Sequence, residues 1–262
     1  MHALVAAIAA ASLAAAGPPS RSLPYDGVRD PLLTAGAGAA WLLTQVLVDR
    51  LAPYPCRWCD PPGFDAAART ALRWRDTAAA ETGSSLLAYG AVPLIGLGVD
   101  FLVSGHDAKA AGTDALIAAE TVVLAGLFGE MVKLAVGRER PFAHAQEVPG
   151  RPPSARPSDD NASFYSGHTN AAFAVAVSLA TCASLRGDGD AWVLWATGIP
   201  LAAAAGYLRM AADQHYLSDV LAGAGAGALF GVLVPRLLHR PEGGTTVQAG
   251  LLSRGLTLAV RF

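Results

Sequence analysis

The sequence carries little charge and has no excess of basic residues. Only 15% of its 262 residues are charged, and 19 lysines and arginines face 21 acidic residues, for a net charge of -2. Proteins that bind nucleic acid usually present a basic face. We therefore expect no nucleic-acid partner, and any anionic ligand must be met by local positive charge.

Cysteine is also scarce, which excludes a fold built on disulfides. The three cysteines are Cys56, Cys59 and Cys182, too few for such a scaffold in a chain of this length. Cys56 and Cys59 could form a redox pair, half of a zinc site or a local disulfide, although no second Cys or His pair lies near enough to complete a tetrahedral zinc site. We favour a structural pair in an oxidising compartment, and we expect Cys182 to be a small core residue.

Regular alternation of polar and apolar residues is missing from most of the chain. Hydrophobic residues make up 53% of the sequence, and the mean hydropathy is +0.37. Most of the apolar segments approach the roughly 20 residues that a helix needs to cross a bilayer. There are six such segments, at residues 31–48, 85–104, 112–136, 168–186, 190–208 and 216–238. We predict an all-α, six-helix bundle embedded in a membrane, with glycines in "LAGAGAGALFG" allowing close helix approach.

Acidic residues interrupt the second and third apolar segments. They are Asp100, Asp114, Glu120 and Glu130. Charges inside a membrane-spanning helix normally face the bundle interior or a polar cavity, whereas an exported soluble bundle would carry them on its water face. We prefer the membrane-embedded bundle and keep the soluble periplasmic bundle as the alternative.

Two stretches break the helical pattern. Residues 49–84 contain proline and charge, and we interpret them as a loop with a short amphipathic helix. Residues 137–167 are rich in Pro, Ser and Arg and predict a long ordered loop. Loops of that length inside a compact bundle are usually functional.

The two ends of the chain differ from the bundle. Residues 1–16 are apolar, and Ala14 and Ala16 fit an A-x-A cleavage site although no Lys or Arg precedes them. We interpret this stretch as a signal peptide or as an uncleaved apolar N-terminus. The tail is β-prone and suits a short hairpin that turns near residues 253–255. The chain after the N-terminus is divided into the first helix with the cysteine loop, the core and the tail, at residues 17–84, 85–240 and 241–262.

Polar and charged residues gather where the predicted helices end. Lys133 and Arg140 lie where the third helix exits into the long loop. Ser166, Gly167 and His168 lie where that loop enters the fourth helix. The third group lies between the fifth and sixth helices, and it contains Arg209, His215 and Asp219. An up-down bundle places these helix ends on one side, so we expect all three groups to meet at one rim.

The predicted rim suits a tetrahedral oxyanion. Lys133, Arg140 and Arg209 supply positive charge, and guanidinium groups match phosphate oxygens bidentately. Ser166 and Gly167 lie at the start of a helix, where free backbone N–H groups add anion donors. Glycine at that point lets the backbone approach a ligand closely.

The two histidines suit different tasks. His215 and Asp219 are four residues apart, so on a helix they would share a face, and the carboxylate could orient the ring as a nucleophile. His168 could protonate the leaving alkoxide. Each element alone also fits helix capping or a surface pair, but their order at consecutive helix ends favours a catalytic site.

These residues resemble a known signature. The segments 133–141, 166–168 and 209–219 are similar to the three motifs of the type 2 phosphatidic acid phosphatase (PAP2) family, which shares its core with vanadium haloperoxidases and bacterial acid phosphatases. The resemblance covers residues 85–240 and implies a six-helix core. Tyr165 stands where the family usually has Pro, and Leu208 where it usually has Ser.

The resemblance also implies roles for the site residues. It implies metal-independent hydrolysis through a phosphohistidine, with no cofactor, and His215 as nucleophile, Asp219 as its partner and His168 as the acid. Phosphate binding is assigned to five residues, Lys133, Arg140, Ser166, Gly167 and Arg209.

Apolar helices near the site favour a lipid substrate. We expect a phosphatase that acts on a lipid phosphate or an isoprenoid diphosphate, with the alternatives of a vanadate-dependent haloperoxidase or a non-catalytic membrane protein. The paired cysteines on the predicted side of the rim favour a cell-membrane protein whose site faces the periplasm or exterior. A cleaved signal peptide followed by six crossings would instead place the rim in the cytoplasm.

Overall fold

The computed structural model describes residues 22–145 and 159–241, with two strands beyond them. The predicted signal peptide or apolar N-terminus lies outside the described residues, as does the middle of the long loop. Ten α-helices are present within the described ranges. They are α1 Arg29–Val46, α2 Val48–Leu51, α3 Gly63–Leu72, α4 Thr77–Leu86, α5 Val92–Val103, α6 Ala108–Val136, α7 Pro141–His144, α8 Gly167–Arg186, α9 Ala191–Ala211 and α10 Leu217–Leu238.

Five helical stretches are long and apolar enough to cross a membrane. They are Thr77–Val103, Ala108–Val136, Gly167–Arg186, Ala191–Ala211 and Leu217–Leu238. The first of these joins α4 to α5 through a π-helical turn, Leu87–Ala91. The sequence predicted six crossing helices, but α1, with 18 residues, is not among the stretches that qualify. The described helices of residues 85–240, which were expected to form the core, thus make an α-helical membrane fold.

The predicted loop over residues 49–84 is more helical than expected. It contains α2, α3 and most of α4. Asp76 begins α4 as its N-cap, because its side chain accepts a hydrogen bond from the backbone N–H of Ala79 at 2.9 Å. The interpretation as a loop with one short helix was therefore wrong for the last third of this stretch.

Helix α8 lies at the centre of the bundle and packs against α5, α6, α9 and α10. A stripe of glycines on α10 lets the two backbones meet. A Cβ atom at Gly223 would lie 2.6 Å from the carbonyl oxygen of Ser166, and one at Gly231 would lie 2.7 Å from Cβ of Val177. Between them, a methyl group at Gly227 would overlap the carbonyl oxygen of Asn170. Only glycine permits this approach, which fixes the start of α8 against α10.

Three of the four acidic residues that interrupt the apolar segments face the bundle interior. Asp100 and Asp114 are buried and both bind the guanidinium of Arg186 at the end of α8. Glu120 is buried against His239, whose Nε2 lies 3.0 Å from Oε2 of the carboxylate. Large apolar side chains instead point outward, with Leu94 73% exposed. This distribution is the one expected of a membrane bundle and not of a soluble one.

The cysteines and the tail complete the fold. Cys56 and Cys59 form a disulfide with a Cα–Cα distance of 5.5 Å, and Cys182 is a free, buried thiol. Of the three interpretations of the pair, the local disulfide is the one present. Strands β1 (Thr246–Leu252) and β2 (Gly255–Arg261) pair antiparallel beyond the bundle.

Candidate active site

The three predicted groups meet at one end of the bundle, where α6 and α9 end and α8 and α10 begin. Nη1 of Arg140 lies 3.3 Å from Nε2 of His215. A Cβ atom at Gly167 would lie 3.3 Å from Nζ of Lys133. The backbone N–H of Ser166 donates to the carbonyl of Asp219 at 3.1 Å. The up-down arrangement thus brings residues that are far apart in sequence into contact.

Two of the cations are paired with carboxylates. Lys133, in the last turn of α6, contacts Glu130 at 2.8 Å. Arg140 is buried and contacts Oδ1 of Asp159 at 2.8 Å. Burial by itself raises the pKa of Asp159, but the charge and hydrogen bond of Arg140, together with the charge of Lys133, outweigh burial and leave the pKa below its usual range. A phosphate that bound here would compete with the Asp159 carboxylate for Arg140.

The third cation is held differently. Arg209 is 4% exposed in the last turn of α9, and its Nη1 donates to Oγ of Ser84 at 3.3 Å. Its Nε is buried and has no acceptor among the described residues. A buried guanidinium N–H without an acceptor is costly, so this group is suited to an anionic ligand.

Ser166 begins helix α8 beside the cations. Its side chain is the N-cap of α8, accepting from the backbone N–H of Thr169 and lying 2.9 Å from the Thr169 hydroxyl. The capping hydroxyl is fully buried. Gly167 and His168 occupy the first turn, where N–H groups point out of the helix and the helix dipole favours an anion.

His215 and Asp219 approach each other, but not as two residues on one helical face. Tyr216 is the N-cap of α10, so His215 precedes the helix, and Asp219 reaches back to accept from the backbone N–H of Tyr216 at 2.9 Å. Oδ2 of Asp219 lies 3.6 Å from Nδ1 of His215. The prediction of a shared helical face was therefore wrong, because the helix begins two residues after His215.

The surroundings of His215 keep its ring neutral. Its pKa lies well below the usual 6.5 because the ring is buried and because Arg140, Arg209 and Lys133 lie close by. Arg140 can only donate hydrogen bonds, so Nε2 of the neutral ring presents its lone pair to Arg140 and the ring hydrogen stays on Nδ1, toward Asp219. An unprotonated Nε2 among cations is the form that a nucleophile requires.

Arg138 is a buried residue that the sequence analysis missed. Its guanidinium donates to Oδ1 of Asp219 at 2.6 Å and to Oδ2 of Asp65 at 2.7 Å. The same group is stacked between the rings of Trp58, at 3.8 Å, and Tyr216, at 4.3 Å. Arg138 therefore fixes the carboxylate beside His215. The only available signal was an arginine two residues before Arg140.

The disulfide loop supports this arrangement. The backbone of Arg57 donates to the carbonyl of Gly137 at 2.9 Å, and that of Glu139 donates to the carbonyl of Trp58 at 3.1 Å. The loop closed by the disulfide thus binds the segment that leads from α6 to Arg140. Its position places the disulfide on the same side of the bundle as the site.

Asp213 lies next to the site but does not face it. Its carboxylate accepts two hydrogen bonds from Arg69, at 2.6 and 2.7 Å, and contacts Arg73 at 3.0 Å. Its φ of 61° marks a tight turn between α9 and His215. These ion pairs to α3 and its following residue hold that turn in place.

His168 contacts a helix that none of the predicted groups includes. Nε2 of His168 lies 3.1 Å from Oγ of Ser85, and the ring centroid of Tyr89 lies 4.7 Å from that of His168. Sequence analysis missed both Ser84 and Ser85. Serine is common in helices, and no spacing rule distinguishes these two from the others.

The two departures from the family pattern pack inside the bundle. Tyr165 is buried against Gly129, and burial raises its pKa to about 12. Leu208 lies against Gly83 of α4, at 3.5 Å from a Cβ atom built there.

One cluster far from this rim has the side chains of a metal site. Asp30, Glu120 and His239 are buried, and one ligand atom from each lies within 4.8 Å of the others. Nε2 of His239 faces Glu120, however, and Nδ1 lies 2.9 Å from the carbonyl oxygen of Pro24. Each ring nitrogen of His239 thus already has an oxygen atom as its neighbour within the protein.

Fold and site together define an α-helical membrane protein with a buried cluster of cations and histidines at one end of its bundle. The PAP2 superfamily model matches residues 114–242. The chain belongs to the PAP2 superfamily, as the three motifs predicted. A solved structure, that of a transmembrane PAP2-type phosphatidylglycerolphosphate phosphatase from Bacillus subtilis, matches at 20% identity and a TM-score of 0.45, over 81% of this chain and 96% of that one.

Proposed function

We propose that this protein is a membrane phosphatase that hydrolyses phosphate monoesters or diphosphates of lipids through a phosphohistidine on His215. Its membership of the PAP2 superfamily supports phosphatase activity. The observation that carries the proposal is the neutral, buried His215, whose Nε2 lies 3.3 Å from Nη1 of Arg140 among three cations. Such a site holds a phosphoryl group and attacks it at the same point.

In this mechanism the cations bind the phosphoryl oxygens. Lys133, Arg140 and Arg209 supply charge-assisted hydrogen bonds, and the N-terminus of α8 adds the backbone N–H groups of Gly167 and His168, with Ser166 shaping that turn. Nε2 of His215 attacks phosphorus, the bond to the leaving oxygen breaks, and His168 gives that oxygen a proton. Water then attacks the phosphohistidine, and His168 accepts the proton from that water.

Asp219 orients the nucleophile, and Arg138 fixes Asp219 in turn. As His215 becomes phosphorylated at Nε2, its ring keeps the Nδ1 hydrogen and gains positive charge. The Asp219 carboxylate, 3.6 Å from Nδ1, stabilises that charge. We place the catalytic core in residues 85–240, with residues 17–84 supplying the first helix and the disulfide loop.

A lipid substrate is favoured by where the site lies. The rim is formed by the ends of apolar helices, and exposed aromatic residues surround it: Tyr89 on the π-helical turn, Tyr207 near Arg209, and Trp74, whose Nε1 donates to the Tyr207 hydroxyl at 3.0 Å. Tyr and Trp are enriched at membrane–water interfaces. The substrate we expect is a lipid phosphate or an isoprenoid diphosphate.

The disulfide supports a site that faces the periplasm or exterior of the cell membrane. Disulfides persist in oxidising compartments, and this disulfide contacts the rim segment through Trp58. Reporter fusions after Ala162, near the rim, and after Gly187, at the opposite end of α8, test the orientation. A cytoplasmic signal from the first fusion would contradict it.

The activity itself is tested with purified protein in detergent. We expect phosphate release from lipid phosphates, isoprenoid diphosphates or soluble monoesters that persists when a chelator is added. The same preparation, loaded with vanadate, is assayed for halide oxidation. Halide oxidation without phosphate release would favour a haloperoxidase. The absence of both activities would favour a non-catalytic protein.

A further inference from the structure

Two neighbouring serines reach the site from α4. Oγ of Ser84 lies 3.3 Å from Nη1 of Arg209, and Oγ of Ser85 lies 3.1 Å from Nε2 of His168. Both serines lie in the last turns of α4, just before the π-helical turn. One helix outside the three motifs therefore contacts both a predicted phosphate ligand and the predicted acid.

Each serine hydroxyl has a backbone carbonyl of its own helix to which it can donate its hydrogen. Ser84 donates to the carbonyl oxygen of Glu81 at 2.8 Å, and Ser85 donates to the same oxygen at 3.2 Å. A hydroxyl has one hydrogen and two lone pairs. Ser84 consequently presents a lone pair to Arg209. Ser85, when its hydrogen is on the Glu81 carbonyl, presents a lone pair to Nε2 of His168, 3.1 Å from its Oγ.

This arrangement selects the groups that the serines can hold. Arg209 only donates hydrogen bonds, so it matches the lone pair of Ser84. His168 matches the lone pair of Ser85 only when its hydrogen is on Nε2. Its other nitrogen, Nδ1, is then the one that can exchange a proton with the substrate.

Tyr89 holds the same imidazole from the π-helical turn. Its ring centroid lies 4.7 Å from that of His168, with the ring planes tilted by 56°. π-Helical turns inside α-helices are frequently found at functional sites.

We propose that Ser84 and Ser85 are positioning residues of the active site. Ser85 fixes the hydrogen of His168 on Nε2 and leaves Nδ1 to protonate the leaving oxygen, and Ser84 orients the guanidinium of Arg209 toward phosphate. In the step, the Nδ1 proton passes to the leaving oxygen as the P–O bond breaks, and the neutral ring keeps its Nε2 hydrogen on Ser85. The inference rests on the proposed function, in which His168 is the acid and Arg209 binds phosphate.

The test compares Ser85→Ala with Ser84→Ala on an alkyl phosphate and on nitrophenyl phosphate. An alkyl leaving group needs a proton, whereas nitrophenol can leave as the anion. We expect Ser85→Ala to lose about tenfold in kcat on the alkyl ester, as for one lost hydrogen bond, and much less on the nitrophenyl ester. Ser85→Thr, which keeps the hydroxyl, should restore the ratio of the two rates.

Ser84→Ala should behave differently. We expect KM and the inhibition constant of inorganic phosphate to rise about tenfold for both esters, with their kcat ratio unchanged. Ser104→Ala is the matched control, because Ser104 makes the same type of bond, to the carbonyl of Phe101 at 3.0 Å, at the far end of α5. Its kinetics should equal those of the wild type.

Several outcomes would overturn the inference. A folded Ser85→Ala protein that loses activity equally on both esters, or on neither, removes Ser85 from the positioning role. A Ser85→Thr protein that does not restore the ratio of the two rates does the same. An unchanged phosphate inhibition constant in Ser84→Ala does the same for Ser84. Melting temperatures identify a variant that is merely unfolded, and for such a variant the tautomer measurement decides.

That measurement is independent of turnover. In protein labelled with ¹⁵N-histidine, the nitrogen shifts of neutral His168 should show the hydrogen on Nε2, assigned by comparison with His168→Gln. A hydrogen on Nδ1 would refute the role of Ser85. If the wild-type protein releases no phosphate from any ester, the proposed function fails, whereas the tautomer still reports on the serine contact alone.

Discussion

Arg209→Lys is the substitution that tests the anion site most severely. Arg209 is buried, its Nη1 is held by Ser84 at 3.3 Å, and its Nε has no acceptor among the described residues. The guanidinium can therefore keep its bond to Ser84 and still present other N–H groups to phosphate. Lysine keeps the charge, but its N–H donors all sit on one nitrogen and lack the planar fork of the guanidinium, so they do not reproduce bidentate contacts to phosphate alongside the bond to Ser84.

The expected loss follows from the bonds that lysine cannot make. One charge-assisted hydrogen bond contributes about 1.5–3 kcal/mol, and about 1.4 kcal/mol corresponds to a tenfold change in rate. We therefore expect kcat/KM for nitrophenyl phosphate to fall about 10- to 150-fold. The inhibition constant of inorganic phosphate should rise in the same direction, because phosphate uses the same donors.

The assay measures both constants in detergent, with Arg236→Lys as the matched control. Arg236 is exposed in the last turn of α10, at the end of that helix away from the site, and its substitution should leave both constants unchanged. Unchanged kcat/KM and unchanged phosphate inhibition in a folded Arg209→Lys protein would remove Arg209 from the phosphate site. The reasoning from its unpaired Nε would then be wrong.

Three further predictions concern packing, burial of charge and pH. Gly227→Ala should lower the free energy of unfolding by about 1–3 kcal/mol, because the added methyl group overlaps the carbonyl of Asn170. Gly225→Ala is the control and should leave stability unchanged, because no atom lies within 4 Å of its Cβ position. Equal melting temperatures for the two variants would contradict this. Arg138→Met should cost about 3–5 kcal/mol by leaving buried carboxylates unpaired, measured by thermal unfolding, and a wild-type melting temperature would refute the buried pair. Because burial and nearby cations lower the pKa of His215, its ring stays neutral as the pH falls. The acid limb of kcat/KM that reports on His215, corrected for substrate ionisation, should therefore lie well below pH 6.5. An acid limb at or above pH 6.5 would contradict the assignment of His215 as nucleophile.

Much of the bundle could be predicted from hydropathy alone. Long runs of Ala, Leu and Val without alternation identify helices, and the glycine stripe of α10 indicates close packing. The first apolar segment was predicted to cross the membrane, but the length and composition of α1 place it below the candidate spans. The helical start of α4 was missed because residues before Thr77 are rich in proline and charge, which conceals the N-cap at Asp76.

The site residues that lie at helix ends could be predicted from the sequence. The features of the site that depend on tertiary contacts could not. Lys133, Arg140 and Arg209 carry charge at helix ends, so their order predicts a shared rim. The spacing of His215 and Asp219 suggested a shared helical face, but spacing does not reveal where a helix begins, and the capping contact of Asp219 with Tyr216 determines that.

Residues that act through a neighbour left no such signal. Arg138 is recognisable only from the two rings and two carboxylates that surround it in space. Ser84 and Ser85 are recognisable only from the atoms that their lone pairs meet. Such residues are determined by tertiary packing, and a single sequence does not record which side chains will be neighbours.

The measurement that tests the central claim most directly is rapid-quench labelling with ³²P-labelled nitrophenyl phosphate in wild-type, His168→Ala and His215→Ala proteins. We predict acid-labile phosphohistidine in the wild type and in His168→Ala, because the nitrophenol leaving group of this substrate needs no proton. We predict none in His215→Ala. Labelling that persists in His215→Ala and disappears in His168→Ala would reverse the two roles. Wild-type labelling in both variants would contradict the covalent mechanism.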